Sequence, residues 1–143
     1  REQALALGAG AAHESGEGAH DALEGPTEGL GADLVIDAVG AEATRRMALG
    51  LLRPGGRVVY IGLHDDDTAL RFHDVVRGQI DLQGSYAYTA EDYEQALEWL
   101  VDGKAGIGGL PPVLPLEEGP EAFAELVRGP SAQIKVFLAE SGE

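Results

Sequence analysis

The segment LLRPGGRVVYIGL, residues 51–63, decides the fold. Helix formers run up to Arg53, Pro54 and two glycines stop them, and Val58, Val59, Tyr60 and Ile61 then lead to a lone glycine, Gly62. Proline cannot continue a helix, and glycine supplies the backbone freedom that ends one. Four consecutive strand formers without polar alternation fit a parallel strand covered on both faces. The segment therefore predicts the tail of a helix, a stop, a buried strand over 57–63 and a bare glycine at that strand's carboxyl end.

Upstream, residues 32–39 are nearly all apolar, with Asp33 and Asp37 as the only charges, and predict a second buried strand. Between the two strands, residues 41–52 carry Ala43, Met47 and Leu51 four apart, which predicts a helix packing that face and leaving Glu42, Arg45 and Arg46 in solvent. Strand, helix and strand within about thirty residues is a βαβ unit. Earlier still, residues 2–7 are helix formers halted by Gly8 and Gly10, and the Gly-rich stretch 16–31 holds a short helix over 19–23.

Downstream, a charged loop over 64–68 precedes a short helix containing Leu70, Phe72, Val75 and Val76, which ends at Gly78. Residues 79–88 alternate and predict a third strand at a sheet edge. Thr89 and Asp92 have capping-box spacing; Tyr93, Ala96, Leu97, Leu100 and Val101 form an apolar stripe, and Gly103 is the stop. A Gly/Pro linker over 106–115, a helix from Pro120 with Phe123, Leu126 and Val127 on one face, and a strand over 133–138 complete the chain.

At 143 residues and 44% hydrophobic content, one globular domain is expected. The net charge of -15, from 25 acidic and 10 basic residues, repels phosphate backbones and anionic lipid, so neither nucleic acid nor a membrane is an expected partner. The absence of cysteine excludes disulfides and thiolate metal sites within these residues. No apolar run approaches the roughly 20 residues of a membrane span, and Arg1 does not open a signal peptide, so a soluble, cytoplasmic protein is expected.

Four stretches, GADLVIDAVG, LLRPGGRVVYIGL, DLQGSYAYTAEDYEQALEWLVDGK and AQIKVFL, together with the leading REQALALGAGA, occur in an order and spacing that resembles the carboxyl-terminal half of medium-chain, zinc-type alcohol dehydrogenases. The sorbitol and threonine dehydrogenase branch looks closest. The resemblance implies an α/β fold, an incomplete Rossmann sheet, doubly wound and mostly parallel, over residues 1–143, with residues 111–143 returning toward a catalytic domain. It implies NAD or NADP as cofactor and an alcohol as substrate. In that family the GxGxxG turn, the acidic residue that holds the ribose and the zinc ligands all precede the matching segment, and this sequence contains no GxGxxG. The resemblance thus implies a truncated piece, inactive alone, with zinc only in the missing domain and an uncovered strand edge at 33–39.

Carried over residue by residue, Ala38, Val39 and Gly40 match the loop that passes under the cofactor riboses. Ile61, Gly62 and Leu63 match the turn lining the nicotinamide, with Gly62 as a close-approach glycine. Gly84, Ser85 and Tyr86 match the turn beside the carboxamide, and Lys135 matches a basic residue that reaches the pyrophosphate. No catalytic residue and no metal ligand is assigned to these residues. Taken alone, Gly40 and Gly62 read as turn glycines, Lys135 as a solvent-facing lysine, and Tyr86 and Tyr88 as sheet packing. HDDD, residues 64–67, reads as a solvated turn rather than a ligand cage, and His13 and His20 have no partner at metal spacing.

Two other readings stay open. The LVIDAVG and LLRPGGRVVYIG stretches are similar to later motifs of class I methyltransferases, although those enzymes end in an antiparallel hairpin. A non-catalytic Rossmann oligomerisation module is the third. The family resemblance also implies a homodimer through edge-to-edge pairing of the strand over 79–88.

Overall fold

The computed structural model describes residues 1–14, 16, 18–106, 111–129 and 135–140. They fall into two compact units, 1–98 and 99–143, where the length predicts one domain.

The first unit is built on β1 (Ala32–Asp37), β2 (Leu52–Tyr60) and β3 (Asp81–Gly84), all parallel in the order β1-β2-β3. Helices α1 (Glu2–Ala6), α2 (Gly18–Thr27), α3 (Glu42–Gly50) and α4 (Phe72–Gly78) precede or connect the strands. The α5 helix (Ala90–Val101) follows β3 and carries the division between the units. The expected βαβ unit is β1-α3-β2.

The core lies on one face of this sheet. Val35, Val58 and Leu82 stand in register across the three strands, and Val58 is 0% exposed. Ala48 of α3 and Val75 of α4 are the other buried apolar side chains among the described residues. On the opposite face Leu34 and Ile36 are 53% and 58% exposed, and Arg57 bridges its register partner Asp81 at 2.6 Å. The sequence predicts cover on both faces; among the described residues one face is covered.

Several boundaries differ from expectation for local reasons. Pro54-Gly55-Gly56 does not merely stop a helix. The α3 helix ends at Gly50 and β2 starts at Leu52, and the register jumps from Ala32↔Leu52 to Leu34↔Arg57, so this stretch is a bulge inside the strand with Gly55 at φ +74°. In α3 the packed residue is Ala48, while Ala43 is exposed and Arg45 is half-buried. The third strand shrinks from 79–88 to four residues because Gln79 takes a left-handed conformation as the cap of α4 and Ala87 another beyond the strand. The α2 helix runs longer than 19–23 and accommodates Pro26 in its last turn.

The capping box of α5 forms as its spacing predicts. The Thr89 N–H donates to Asp92 Oδ2 at 2.9 Å and the Asp92 N–H to Thr89 Oγ1 at 3.2 Å. Backbone and then side-chain donation from Thr89 holds the Asp92 carboxyl below its usual range. The apolar stripe of α5 is exposed rather than packed, from Tyr93 through Val101.

In the second unit, β4 (Val113–Pro115) pairs in parallel with β5 (Phe137–Ala139), joined through a 3-10 turn (Leu116–Glu118) and α6 (Gly119–Val127). A Cβ on Gly119 would lie 2.9 Å from Leu138 Cδ1, so glycine admits the strand's side chain at the helix start. The linker over 106–115 therefore ends in a three-residue strand, and the closing strand starts at Phe137; residues 133 and 134 lie outside the described residues. No described helix is long and apolar enough to cross a membrane.

The tightest point of the first unit lies just beyond β1 and β2. A Cβ on Gly62 would collide with the Val39 carbonyl group and the Gly40 nitrogen, and a Cβ on Gly40 with the Gly62 carbonyl group. Gly84, by contrast, has open space. Gly62→Ala should therefore cost about 3 kcal/mol or more, because main chain and not a flexible side chain must yield. Gly84→Ala should be neutral or stabilising by up to about 1 kcal/mol. Urea unfolding of both variants checks this, and equal midpoints would contradict it.

Candidate cofactor-facing site

Parallel strands carry their connecting turns away from the sheet's carboxyl end, which is where an open α/β sheet binds its ligand. Nine of the ten residues singled out from the sequence lie there: Ala38, Val39 and Gly40 after β1, Ile61, Gly62 and Leu63 after β2, and Gly84, Ser85 and Tyr86 at the end of β3. The tenth, Lys135, is exposed and precedes β5 in the second unit. Gly40 and Gly62 are buried, whereas the apolar side chains of Val39, Ile61 and Leu63 are exposed, Leu63 by 74%. Tyr86 is 83% exposed, so it does not pack on the sheet.

The turns are tied to one another by main-chain bonds that extend the sheet past its last ladder pair. The N–H groups of Ile61 and Gly62 both donate to the Asp37 carbonyl at 3.0 Å, the His64 N–H to the Val39 carbonyl at 3.3 Å, and the Asp65 N–H to the Gly40 carbonyl at 3.0 Å. The Ser85 N–H donates to the Tyr60 carbonyl at 3.0 Å and brings the third turn alongside. The close approach that demands glycine at positions 40 and 62 is thus between the two turns themselves. Gly40 also sits at φ +79°, a conformation that side chains rarely take.

Two carboxylates organise this edge, and neither stood out as a functional residue in the sequence. Asp37 is 5% exposed; its Oδ1 accepts the N–H groups of Val39 at 3.0 Å and Gly40 at 3.1 Å, while Oδ2 is buried without a hydrogen-bond partner. A signal was present: an aspartate inside an apolar run, three residues before a glycine, is the pattern of a side chain folding over its own turn. Beside it, burial raises the Tyr60 phenol above its usual pKa, and the Asp37 charge adds to this against an opposing Arg45.

Asp65 works at longer range. The cap position of α3 is Ala41, which has no side-chain oxygen, and Asp65 Oδ2 takes its place by accepting the Glu42 N–H at 2.8 Å. The same loop is gripped from α3 by Arg45, whose guanidinium donates to Thr68 Oγ1 and to the Asp65 carbonyl at 2.7 Å, and by Arg46, which donates to the Ala69 carbonyl at 3.0 Å. Arg45, expected in solvent, is thus half-buried in a clamp on the loop after β2, whereas Arg46 stays exposed as expected while it bonds the same loop. His64 Nδ1 lies 2.8 Å from Asp65 Oδ1, and among the described residues no group of three or more metal-binding side chains forms.

The Asp65 carboxyl is held below its usual range, first by the Glu42 N–H and then by His64. A carboxyl lowered in the folded state stabilises fully above its unfolded value, near pH 4, and loses that contribution as pH falls through the lower folded value. The stability advantage of the wild type over Asp65→Asn should be fully present at about pH 5 and smaller at about pH 3, below the unfolded value. Urea midpoints at the two pH values test this, and a constant difference would contradict it.

The sequence matches the model of the family described as zinc-binding dehydrogenase over residues 1–102. D-xylulose reductase A of Aspergillus oryzae is 32% identical over 112 residues, which are 78% of this chain and 31% of that protein. Alcohol dehydrogenase TADH from Thermus sp. ATN1 has the same fold with a TM-score of 0.82 at 28% identity, covering 97% of this chain and 40% of that one. An alcohol dehydrogenase of Escherichia coli CFT073, solved in complex with NADH, matches with a TM-score of 0.80 over 96% of this chain and 41% of its own; at 18% identity this likeness is one of fold. The chain thus spans about a third of the curated relative's length. With the parallel sheet and its glycine-built turns, the match over 1–102 shows that this chain belongs to the zinc-binding dehydrogenase family.

Proposed function

We propose that the chain forms the NAD(P)-binding portion of a zinc-dependent alcohol or polyol dehydrogenase. The observation that carries this reading is the convergence of three strand-end turns on one edge of a parallel sheet, with apolar side chains standing free on a rigid backbone. Val39, Ile61 and Leu63 offer a planar ring an apolar wall that excludes water, and the turn at Gly84, Ser85 and Tyr86 offers polar groups at its rim. The nicotinamide, when bound, supplies the hydride acceptor or donor. Lys135, exposed and positive, suits a pyrophosphate contact. The Escherichia coli neighbour carries NADH on this fold, and the Aspergillus relative's name points to a polyol or ketose as substrate.

Zinc in such an enzyme would be held by residues outside this segment, a reading that accords with a sequence without cysteine. Without a GxGxxG turn to cradle the phosphates, the chain alone is expected to bind the cofactor weakly and to be inactive. The methyltransferase reading is set aside by the family match and by the parallel pairing of β4 with β5, where a methyltransferase would place an antiparallel hairpin. A cytoplasmic location accords with the charge of -15.

Titration of NADH fluorescence with the chain should give a dissociation constant near 1 mM, about 4 kcal/mol of binding, and S-adenosylmethionine should not compete. A folded chain without any NADH response would remove the cofactor reading and favour the non-catalytic module. We also propose a homodimer through the free edge of β3, whose outer side carries no strand among the described residues. Sedimentation should show dimers that Gln83→Lys, on the exposed face of that edge strand, converts to folded monomers; an unchanged sedimentation coefficient would count against the pairing.

A further inference from the structure

Asp37 makes four accepted hydrogen bonds, two through its carboxylate and two through its main-chain carbonyl, and they divide between two separate turns. The carboxylate fixes Val39 and Gly40, which follow β1; the carbonyl fixes Ile61 and Gly62, which follow β2. The turns then meet at the Gly40–Gly62 contact, where neither backbone has room to shift without displacing the other. A buried carboxylate oxygen without a partner, as at Oδ2, lowers stability, so packing alone gives no reason for an acid at this position.

We propose that Asp37 is a positioning residue for the cofactor wall. By holding the turn after β1 through its side chain, it also sets the turn after β2 through the Gly40–Gly62 contact, so that Val39 and Ile61–Leu63 move as one rigid surface. The effect on cofactor affinity rests on the proposed function; the mechanical coupling of the turns does not. Asparagine retains an oxygen at Oδ1 for both amides while replacing Oδ2 with an uncharged NH2 group, whereas alanine removes the acceptor.

The test is amide hydrogen exchange of the chain and its Asp37→Asn and Asp37→Ala variants, with NADH fluorescence on the same samples. In Asp37→Ala, exchange at Val39, Gly40, Ile61 and Gly62 should quicken together by about tenfold or more, the factor expected for loss of a hydrogen bond to a charged group. Protection at Val58 and Gln83 should persist, and the NADH response should be lost. Asp37→Asn should restore both the protection and the response. Faster exchange confined to Val39 and Gly40, with Ile61 and Gly62 still protected, would overturn the proposal. If Asp37→Ala does not fold, exchange of the wild type in rising urea serves instead: the four amides should open in one step with a shared urea dependence, and two separate openings would overturn the proposal. Coupled exchange without any wild-type NADH response would uphold the positioning role and sink the cofactor reading alone.

Discussion

The first unit depends on a contact between two stretches of bare backbone. Gly40 and Gly62 lie so close that either Cβ would strike the opposite main chain. Such proximity lets the turns after β1 and β2 continue the sheet's hydrogen bonding beyond Tyr60, from Ile61 to Asp65. Strand-end turns that would otherwise be separate loops become a two-stranded extension of the sheet, and loop entropy is removed where a ligand would need order most. Everything exposed on that edge inherits its position from this contact, including Val39, Ile61 and Leu63.

Around it, polar groups do what a larger apolar core would do elsewhere. Buried apolar side chains in the described residues are few, namely Ala48, Val58 and Val75. Yet the loop after β2 is held at both ends, by its pairing to Val39 and Gly40 and by Arg45, Arg46 and Asp65 against α3. Asp65 also fills the amino end of α3, which would otherwise attract an anion. The chain's acidic balance thus enters the architecture directly at Asp37, Asp65 and Asp92, each of which accepts main-chain donors.

How far the sequence could be read follows the range of each interaction. The βαβ unit was legible because apolar runs, a proline and glycines act locally, and so was the Thr89–Asp92 box, whose partners are three residues apart. The Asp65–Glu42 bond spans 23 residues and left no local trace; Arg45 accordingly read as a solvated residue. The third strand was overestimated because nothing in Gln79 or Ala87 announces a left-handed backbone, as glycine would. Pro54-Gly55-Gly56 was understood as a stop when its geometry is a bulge, since both use the same residues. At the candidate site, nine of the ten residues that the family resemblance singles out lie on one edge, but the mutual packing of two of them, Gly40 and Gly62, exists only in three dimensions.

The central claim is that this glycine-built edge is the wall against which a nicotinamide lies. It is tested most directly by intermolecular nuclear Overhauser effects between the chain and NADH at millimolar concentration. The account predicts contacts from the nicotinamide ring protons to the methyl groups of Val39, Ile61 and Leu63. Contacts confined to the cleft of about 330 Å³ between α3 and α4, where Leu49 and Leu70 supply the methyl groups, would contradict it.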